Sequence, residues 1–208
     1  MMDTKELHEL LERTGALLTG HFKLSSGLHS DKYVQCAKIL QYPELAKQIG
    51  TELVKKYNNL GIDIPDLIAS PAIGGIVIGQ EVAEALAKNR KSSIRHIFVE
   101  KDGDGKPTLR RGFSIVRGEK FAVVEDVITT GKSTFEVVDL LERLGGELTA
   151  ILSIIDRTGK SFADDMQIRH IETPYISLIK LELNTYEPDN CPLCAKNIPI
   201  EKPGSRKI

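Results

Sequence analysis

Between Asp66 and Ile155 the chain alternates short apolar runs with stretches of helical periodicity. That alternation limits the fold more than any other feature. Asp66-Leu-Ile-Ala-Ser70 reads as a strand, and the Gly-containing turn Pro71-Ala-Ile-Gly-Gly75 leads into a helix ending near Asn89. Ser93 to Glu100 reads as the next strand, Phe121-Ala-Val-Val124 as a buried one, and Leu148 to Ile155 as another that ends at Asp156-Arg157. Thr130 to Leu144 carries Val137, Val138, Leu141 and Leu144 at helical spacing, predicted to face inward, and Gly145-Gly146 stops it. Apolar strands separated by helices predict an α/β fold, a parallel sheet with helices on both faces. Ligands in such sheets sit beyond the carboxyl ends of the strands. Three loops therefore stand out: 70–75, 125–134 and 156–160.

The 208 residues suit a single domain with a sizeable core. Upstream of the alternating region, Asp3 or Thr4 can cap a first helix with Leu7, Leu10 and Leu11 on one face, and Gly15 ends it. His21 to His29 mixes polar residues with Gly and reads as a loop or irregular strand, which makes His21 and His29 polar loop residues rather than catalysts. Pro43 opens another helix, with Leu45, Ile49 and Leu53 spaced by four. A formal net charge of −1 provides no general field for nucleic acid, so an anion site must be local. The amino terminus lacks the apolar core of a signal peptide, and no run approaches the roughly 18 apolar residues of a membrane span. Three cysteines, Cys36, Cys191 and Cys194, do not make a disulfide framework. The expectation is a cytoplasmic enzyme with no nucleic-acid or membrane partner.

Phe121 to Thr134 is the most informative stretch. An apolar strand runs into Glu125 and Asp126, then into a turn of small and hydroxyl-bearing residues at a helix start. Thr130, Gly131, Lys132, Ser133 and Thr134 can offer backbone N–H groups, hydroxyls and the positive end of a helix dipole to one phosphate. The adjacent carboxylates can accept hydrogen bonds from sugar hydroxyls. A sugar phosphate needs both chemistries side by side. A nucleotide triphosphatase loop is rejected, because that motif needs Gly where this chain has Asp126. The bland alternative, two helix-capping acids and a turn, does not account for the apolar strand before them and the small-residue loop after.

This stretch resembles the phosphoribosyl pyrophosphate signature of type I phosphoribosyltransferases, and the rest of the chain is similar to the orotate phosphoribosyltransferase family over nearly its full length. Phe22-Lys-Leu-Ser-Ser-Gly-Leu-His-Ser-Asp-Lys-Tyr33 is similar to that family's amino-terminal base-binding segment. Ser70-Pro-Ala-Ile-Gly-Gly-Ile76 resembles its pyrophosphate loop, and Ile154-Ile-Asp-Arg157 the strand end whose Arg meets the base. The resemblance implies transfer of a 5-phosphoribosyl group to orotate in pyrimidine (UMP) synthesis, with Mg²⁺ carried on the diphosphate substrate. It implies that Glu125 and Asp126 hold the ribose and that residues 130–134 hold its 5-phosphate. Thr129, Ala72, Gly74 and Arg110 complete the diphosphate site, and Arg157 with Ser25, Ser26, Gly27 and the Thr129 hydroxyl reads orotate. A bidentate Arg suits a carboxylated base. It further implies a core over about 41–164 under a hood formed by about 1–40 and 165–208, and a homodimer sharing its catalytic loop across subunits. Rival readings are a transferase for a purine base and a non-catalytic sensor of phosphoribosyl pyrophosphate or a nucleotide.

Residues 101–120 have few apolar side chains and carry Lys101, Lys106, Arg110, Arg111, Arg117 and Lys120 against Asp102, Asp104 and Glu119. Residues 101–113 are predicted to form a long loop, and the stretch matches the family's mobile catalytic loop. Its cations would stabilise departing pyrophosphate, with Lys101 and Lys106 first and Arg110 and Arg111 next. A calcium loop at Asp102 is dismissed, because Phe113 stands where Glu is required. Many family members carry Lys where this chain has Ser25 and Gly74; Lys23 and the loop cations are the candidate replacements. Cys191-Pro-Leu-Cys194 has the spacing of half a zinc site, but no second pair follows and His170 is an unsupported third ligand. A redox pair or plain turn is favoured over four thiolates assembled from two tails across a dimer. Cys36 is expected to be buried.

Overall fold

In the computed structural model, which describes residues 2–24, 26–90, 93–158 and 161–203, side chains of alternating parity line opposite faces of one central sheet. Phe121 and Val123 join one apolar cluster, while Ala122 and Val124 join another. Leu67 and Ala69 divide from Ile68 in the same way, as does Ile151 from Ala150 and Leu152. Successive strand residues point to opposite faces, so strands apolar at every position must be covered on both sides.

The elements begin with α1 (Thr4–Arg13), β1 (Leu17–Lys23), β2 (His29–Val34), α2 (Ala37–Leu40) and α3 (Pro43–Asn58). Then come β3 (Leu67–Pro71), α4 (Gly75–Arg90), β4 (Arg95–Lys101), β5 (Pro107–Leu109), β6 (Lys120–Ile128), α5 (Lys132–Arg143) and β7 (Glu147–Asp156). The chain finishes with α6 (Ser161–Ile168), β8 (Tyr175–Lys180), β9 (Thr185–Tyr186), a 3-10 turn at Pro188–Asn190 and α7 (Pro192–Ala195). The larger sheet has six strands in the order β5-β4-β3-β6-β7-β8. All its pairings are parallel except β4 with β5. Residues of α1 to α4 cover one face, and α5 and α6 cover the other. Burying Val137, Val138 and Leu141 of α5 contributes about 1.5–3 kcal/mol per side chain. The smaller sheet, β1-β2-β9, brings the amino-terminal hairpin together with the carboxyl-terminal segment. Strand β8 lies in the larger sheet, although the expected hood range of 165–208 includes it.

Asp3 caps α1 by accepting from the Glu6 backbone N–H at 2.7 Å, and Leu7, Leu10 and Leu11 are its buried face, as expected. Two expectations are corrected. Leu144, read as inward, is 48% exposed, because α5 ends at Arg143 and the last turn leaves the sheet before Gly145-Gly146. The expected long loop at 101–113 is instead a hairpin, β4–β5, closed by Asp102, whose Oδ1 accepts the backbone N–H groups of Asp104 (2.9 Å) and Lys106 (2.8 Å). Side-chain capping and backbone pairing hold it, with little apolar burial, so hydrophobic periodicity carries no trace of it.

Helices α3 and α4 approach closely at Gly50, where a Cβ would lie 2.8 Å from Glu81 Cβ and 3.0 Å from its carbonyl carbon. Replacing Gly50 by Ala adds helix propensity of about 1 kcal/mol. Forcing the helices apart costs about 1–3 kcal/mol and outweighs it. Gly50→Ala is expected to lower Tm by about 2–6 °C in thermal unfolding followed by circular dichroism; an unchanged or higher Tm would show that the contact relaxes freely.

Candidate active site

Strand β6 ends the apolar run by delivering two carboxylates to the carboxyl edge of the sheet. Glu125 is buried and pairs in register with Ser153 of β7. Burial, then the neighbouring Asp126 charge, pushes the Glu125 carboxyl well above its ordinary pKa and favours its neutral form. Asp126 is half-buried, and its Oδ1 accepts the Val127 N–H at 2.8 Å. Cys36 lies beneath the pair with Sγ 4.0 Å from the Asp126 carbonyl oxygen; it is buried as expected, and burial followed by the two acids raises its thiol pKa.

The 70–75 loop comes off β3, the strand beside β6, and meets these acids directly. Ala72 N–H donates to the Val99 carbonyl at 2.8 Å, and the Ala72–Ile73 peptide is cis. A Cβ at Gly74 would lie 2.7 Å from Asp126 Oδ1. A side chain there would collide with the carboxylate, which gives the departure from Lys at this position a physical basis. Bare backbone keeps the approach to Asp126 open.

After Ile128 the chain turns through Thr129 and Thr130, both exposed, into α5. Gly131 is the N-cap at φ +71°, in the left-handed region, and a Cβ there would sit 2.5 Å from the Phe162 ring and 2.9 Å from Phe135. Both constraints require Gly. The turn leaves Lys132 and Ser133 exposed at the first turn of a 12-residue helix, with Thr134 buried. Backbone N–H groups and the helix dipole there favour an anion.

Ladder register sets Arg157 beside this turn. Ile128 pairs with Asp156, and the Arg157 N–H donates to the Ile128 carbonyl at 2.9 Å, so Arg157 lies next to Thr129 across the β6–β7 edge. Asp156 Oδ1 fixes the turn by accepting the Thr158 N–H (2.8 Å) and hydroxyl (2.6 Å). The Arg157 guanidinium is half-buried, and its Nε is shielded from solvent with no hydrogen-bond partner among the described residues. Burial lowers its pKa, with Tyr33 of β2 acting in the opposite sense. A desolvated, incompletely paired cation is costly, and an anion placed beside it would offset that cost.

Residues 36–180 match the family model described as a phosphoribosyl transferase domain. Orotate phosphoribosyltransferase of Caldicellulosiruptor saccharolyticus is 44% identical over 207 residues, covering 100% of both chains. That of Thermotoga maritima is 44% identical over 202 residues, covering 97% of this chain and 99% of the other. The chain belongs to the orotate phosphoribosyltransferase family. A crystal structure of the Mycobacterium tuberculosis orotate phosphoribosyltransferase with inorganic phosphate superposes with a TM-score of 0.64 at 22% identity, covering 85% of this chain and 94% of that one. The fold is that of the type I phosphoribosyltransferases.

Within this orotate phosphoribosyltransferase scaffold the expected catalytic cations separate into two groups. Lys101, at the end of β4, pairs with Glu136 at 3.0 Å, one turn into α5. Lys132 lies 4.0 Å from the same carboxylate. Lys106 and Arg110 are exposed on and beside the β4–β5 hairpin. Arg111 is tied by its guanidinium to Glu100, at 2.9 Å for each of two contacts. Lys120, counted with the loop, opens β6 at the opposite end of that strand from Glu125 and Asp126 and pairs with Asp63 at 2.7 Å. Charge counting along the sequence cannot separate the two ends of one strand.

In the amino-terminal segment expected to bind the base, Ser25 lies outside the described residues. Ser26 is exposed, and its Oγ accepts the Leu28 N–H at 3.4 Å. The Gly27 N–H donates to the Leu24 carbonyl at 3.0 Å and closes the hairpin turn. Its role there is the turn itself, at φ +91°. Lys23 is exposed, its backbone paired with Glu201.

His21 and His29, read as polar loop residues, are buried on β1 and β2. They face Cys191 and Cys194, whereas His170 is exposed at a turn after α6. The Cys191–Cys194 spacing signals half of this grouping, and nothing local signals that the two histidines complete it. The hairpin and tail are distant in sequence, and only the β1-β2-β9 sheet brings them together.

Proposed function

We propose that this orotate phosphoribosyltransferase family member transfers the 5-phosphoribosyl group of phosphoribosyl pyrophosphate to orotate, releasing orotidine 5'-phosphate and pyrophosphate in pyrimidine (UMP) synthesis. The observation that carries the reading is the desolvated Arg157 Nε, unpartnered among the described residues, on the residue one ladder step past the Ile128–Asp156 pair, where the strand carrying the acid pair enters the phosphate turn. A carboxylated base satisfies that guanidinium and a base without a carboxylate does not.

In this reading the Thr130–Thr134 turn grips the 5-phosphate, Glu125 and Asp126 hold the ribose hydroxyls, and Ala72 and Gly74 flank the diphosphate. Thr129 and Arg157 position orotate. The ring nitrogen of orotate attacks the anomeric carbon, the carbon–oxygen bond to pyrophosphate breaks, its electrons leave with the diphosphate, and the ring proton passes to solvent. The sugar carries cationic character at the transition state, which the Asp126 carboxylate stabilises. Mg²⁺ enters as part of the diphosphate substrate and neutralises part of its charge, since Mg²⁺ favours oxygen ligands and retained waters. The bare backbone at Gly74 beside Asp126 leaves room for such a hydrated group. Positioning supplies much of the rate.

Lys101, Lys106 and Arg110 stabilise the departing pyrophosphate. Lys106 and Arg110 are exposed on and beside the β4–β5 hairpin, free to meet a second subunit's site, which supports a homodimer with a shared lid. Among the described residues no helix is long and apolar enough to cross a membrane. Three cysteines without disulfides support a cytoplasmic setting.

The test mixes the chain with orotate, phosphoribosyl pyrophosphate and Mg²⁺ and follows orotate's ultraviolet absorbance. A decline that requires all three is expected. Turnover of adenine or hypoxanthine but not orotate would replace this reading with a purine enzyme; diphosphate binding without turnover of any base would replace it with a sensor.

A further inference from the structure

We propose that His21, His29, Cys191 and Cys194 form a tetrahedral Zn²⁺ site within one chain, which staples the carboxyl-terminal tail to the β1–β2 hairpin. The site is separate from the acid pair and phosphate turn and does not depend on the reaction assigned to them.

The four ligand atoms lie within 4.8 Å of one another. His21 Nε2 is 3.0 Å from His29 Nδ1 and 3.5 Å from Cys191 Sγ. Cys194 Sγ is 3.7 Å from His21 Nε2 and 3.3 Å from His29 Nδ1. Zinc bonds of about 2.3 Å to sulfur and about 2.05 Å to nitrogen imply tetrahedral edges of about 3.8 Å (S–S), 3.6 Å (N–S) and 3.4 Å (N–N). These four edges fall within about 0.4 Å of those values, and the two from Cys191 to His29 and Cys194 are no longer than 4.8 Å. Drawing Cys191 inward by up to about an ångström brings all four atoms onto one ion.

Local structure aims each ligand inward. A register shift between Thr19 and Phe22 interrupts the β1–β2 ladder, and it re-aims His21 toward His29 across the hairpin. Cys191 precedes α7 and Cys194 lies on it, so one helical turn presents both sulfurs to the same side. His21 Nδ1 lies 2.8 Å from the Ile198 carbonyl. That carbonyl can only accept, so Nδ1 carries the proton and Nε2 turns its lone pair toward the cluster. Metal-binding histidines are oriented in this way by their second nitrogen.

Chemistry selects the ion. Two thiolates balance a divalent charge, and a tetrahedral S₂N₂ set suits zinc and not Mg²⁺. His21, His29 and Cys191 are buried at 2%, 6% and 4% exposure and Cys194 is the one exposed ligand; four protein donors leave no open position, as in structural zinc sites. The tail has little else to bury: residues 192–201 are exposed except for half-buried Leu193. Backbone bonds from Glu201 N–H to the His21 carbonyl and from Lys23 N–H to the Glu201 carbonyl, both 2.8 Å, join tail to hairpin after the two cysteines, and the β2–β9 pairing joins them before. A segment too small for an apolar core is held by such staples.

The full chain, purified without a metal-binding tag from zinc-containing medium, is expected to hold about one zinc per chain by mass spectrometry of the metal. Metal-free chain titrated with Co²⁺ is expected to show visible tetrahedral bands and thiolate-to-cobalt charge transfer. Cys191→Ser and His29→Gln each lower zinc content to about a tenth or less, whereas His170→Gln retains it. Removing the metal speeds trypsin cleavage after exposed Lys196 at least about tenfold. If a ligand variant misfolds, cobalt spectra of the unsubstituted chain decide the point. Substoichiometric zinc with no charge-transfer band would overturn the proposal, as would a Cys191–Cys194 disulfide in the freshly purified chain or equal metal loss from His170→Gln.

Discussion

Replacing Asp126 by Asn is expected to lower kcat by about 10²–10³-fold while leaving the fold intact, the scale on which one preorganised electrostatic group acts. The amide oxygen can still accept the Val127 N–H now held at 2.8 Å, so local backbone geometry survives. What disappears is negative charge facing the space that Gly74 keeps open. Charge lost there weakens ribose binding modestly and the cationic transition state strongly, so the damage falls on kcat more than on KM for phosphoribosyl pyrophosphate. Steady-state kinetics together with a circular-dichroism melt separate this from misfolding. Activity within about threefold of the unsubstituted chain, at equal Tm, would remove Asp126 from its assigned role.

Arg157→Ala should raise KM for orotate by about 10–100-fold, the equivalent of about 1.5–3 kcal/mol for hydrogen bonds to a charged group. KM for phosphoribosyl pyrophosphate should move little. The preference for orotate over uracil, which lacks the carboxylate, should shrink by a similar factor. Arg157→Lys keeps the charge but not the planar fork, and should fall between. Stability provides a second readout. Arg157 is desolvated, and its Nε has no partner among the described residues, so removing it relieves a buried unsatisfied group. The Ala variant is expected to melt at the same temperature as the parent or higher, the signature of a residue kept for binding at the expense of stability. An unchanged KM for orotate with a lowered Tm would make Arg157 structural.

Much of this was legible in one dimension. Strands β3, β6 and β7 are buried on both faces, so each reads as an unbroken apolar run, and the helices between them read by their period. The acid pair at Glu125 and Asp126 was visible because a strand that must stay apolar in its interior suddenly carries charge at its end. Gly131 was visible as part of the small-residue turn. Only the structure shows that Gly131 must adopt φ +71° against two aromatic rings, or that Gly74 must be bare because Asp126 stands in front of it.

The errors share one origin. Lys120 was grouped with the loop cations by proximity in sequence, although a nine-residue strand separates it from the carboxyl edge where they act. Leu144 was read as inward from its spacing, although the helix had already left the sheet.

The sequence by itself determined the layered α/β architecture and the phosphate turn, because both arise from contiguous residues whose burial period or backbone geometry is local. Only the tertiary structure decided what Arg157 faces and that His21 and His29 meet Cys191 and Cys194. Those groupings join segments up to 173 positions apart. They follow from strand register and sheet order, which depend on the packing of the whole chain and leave no periodic mark on either segment alone.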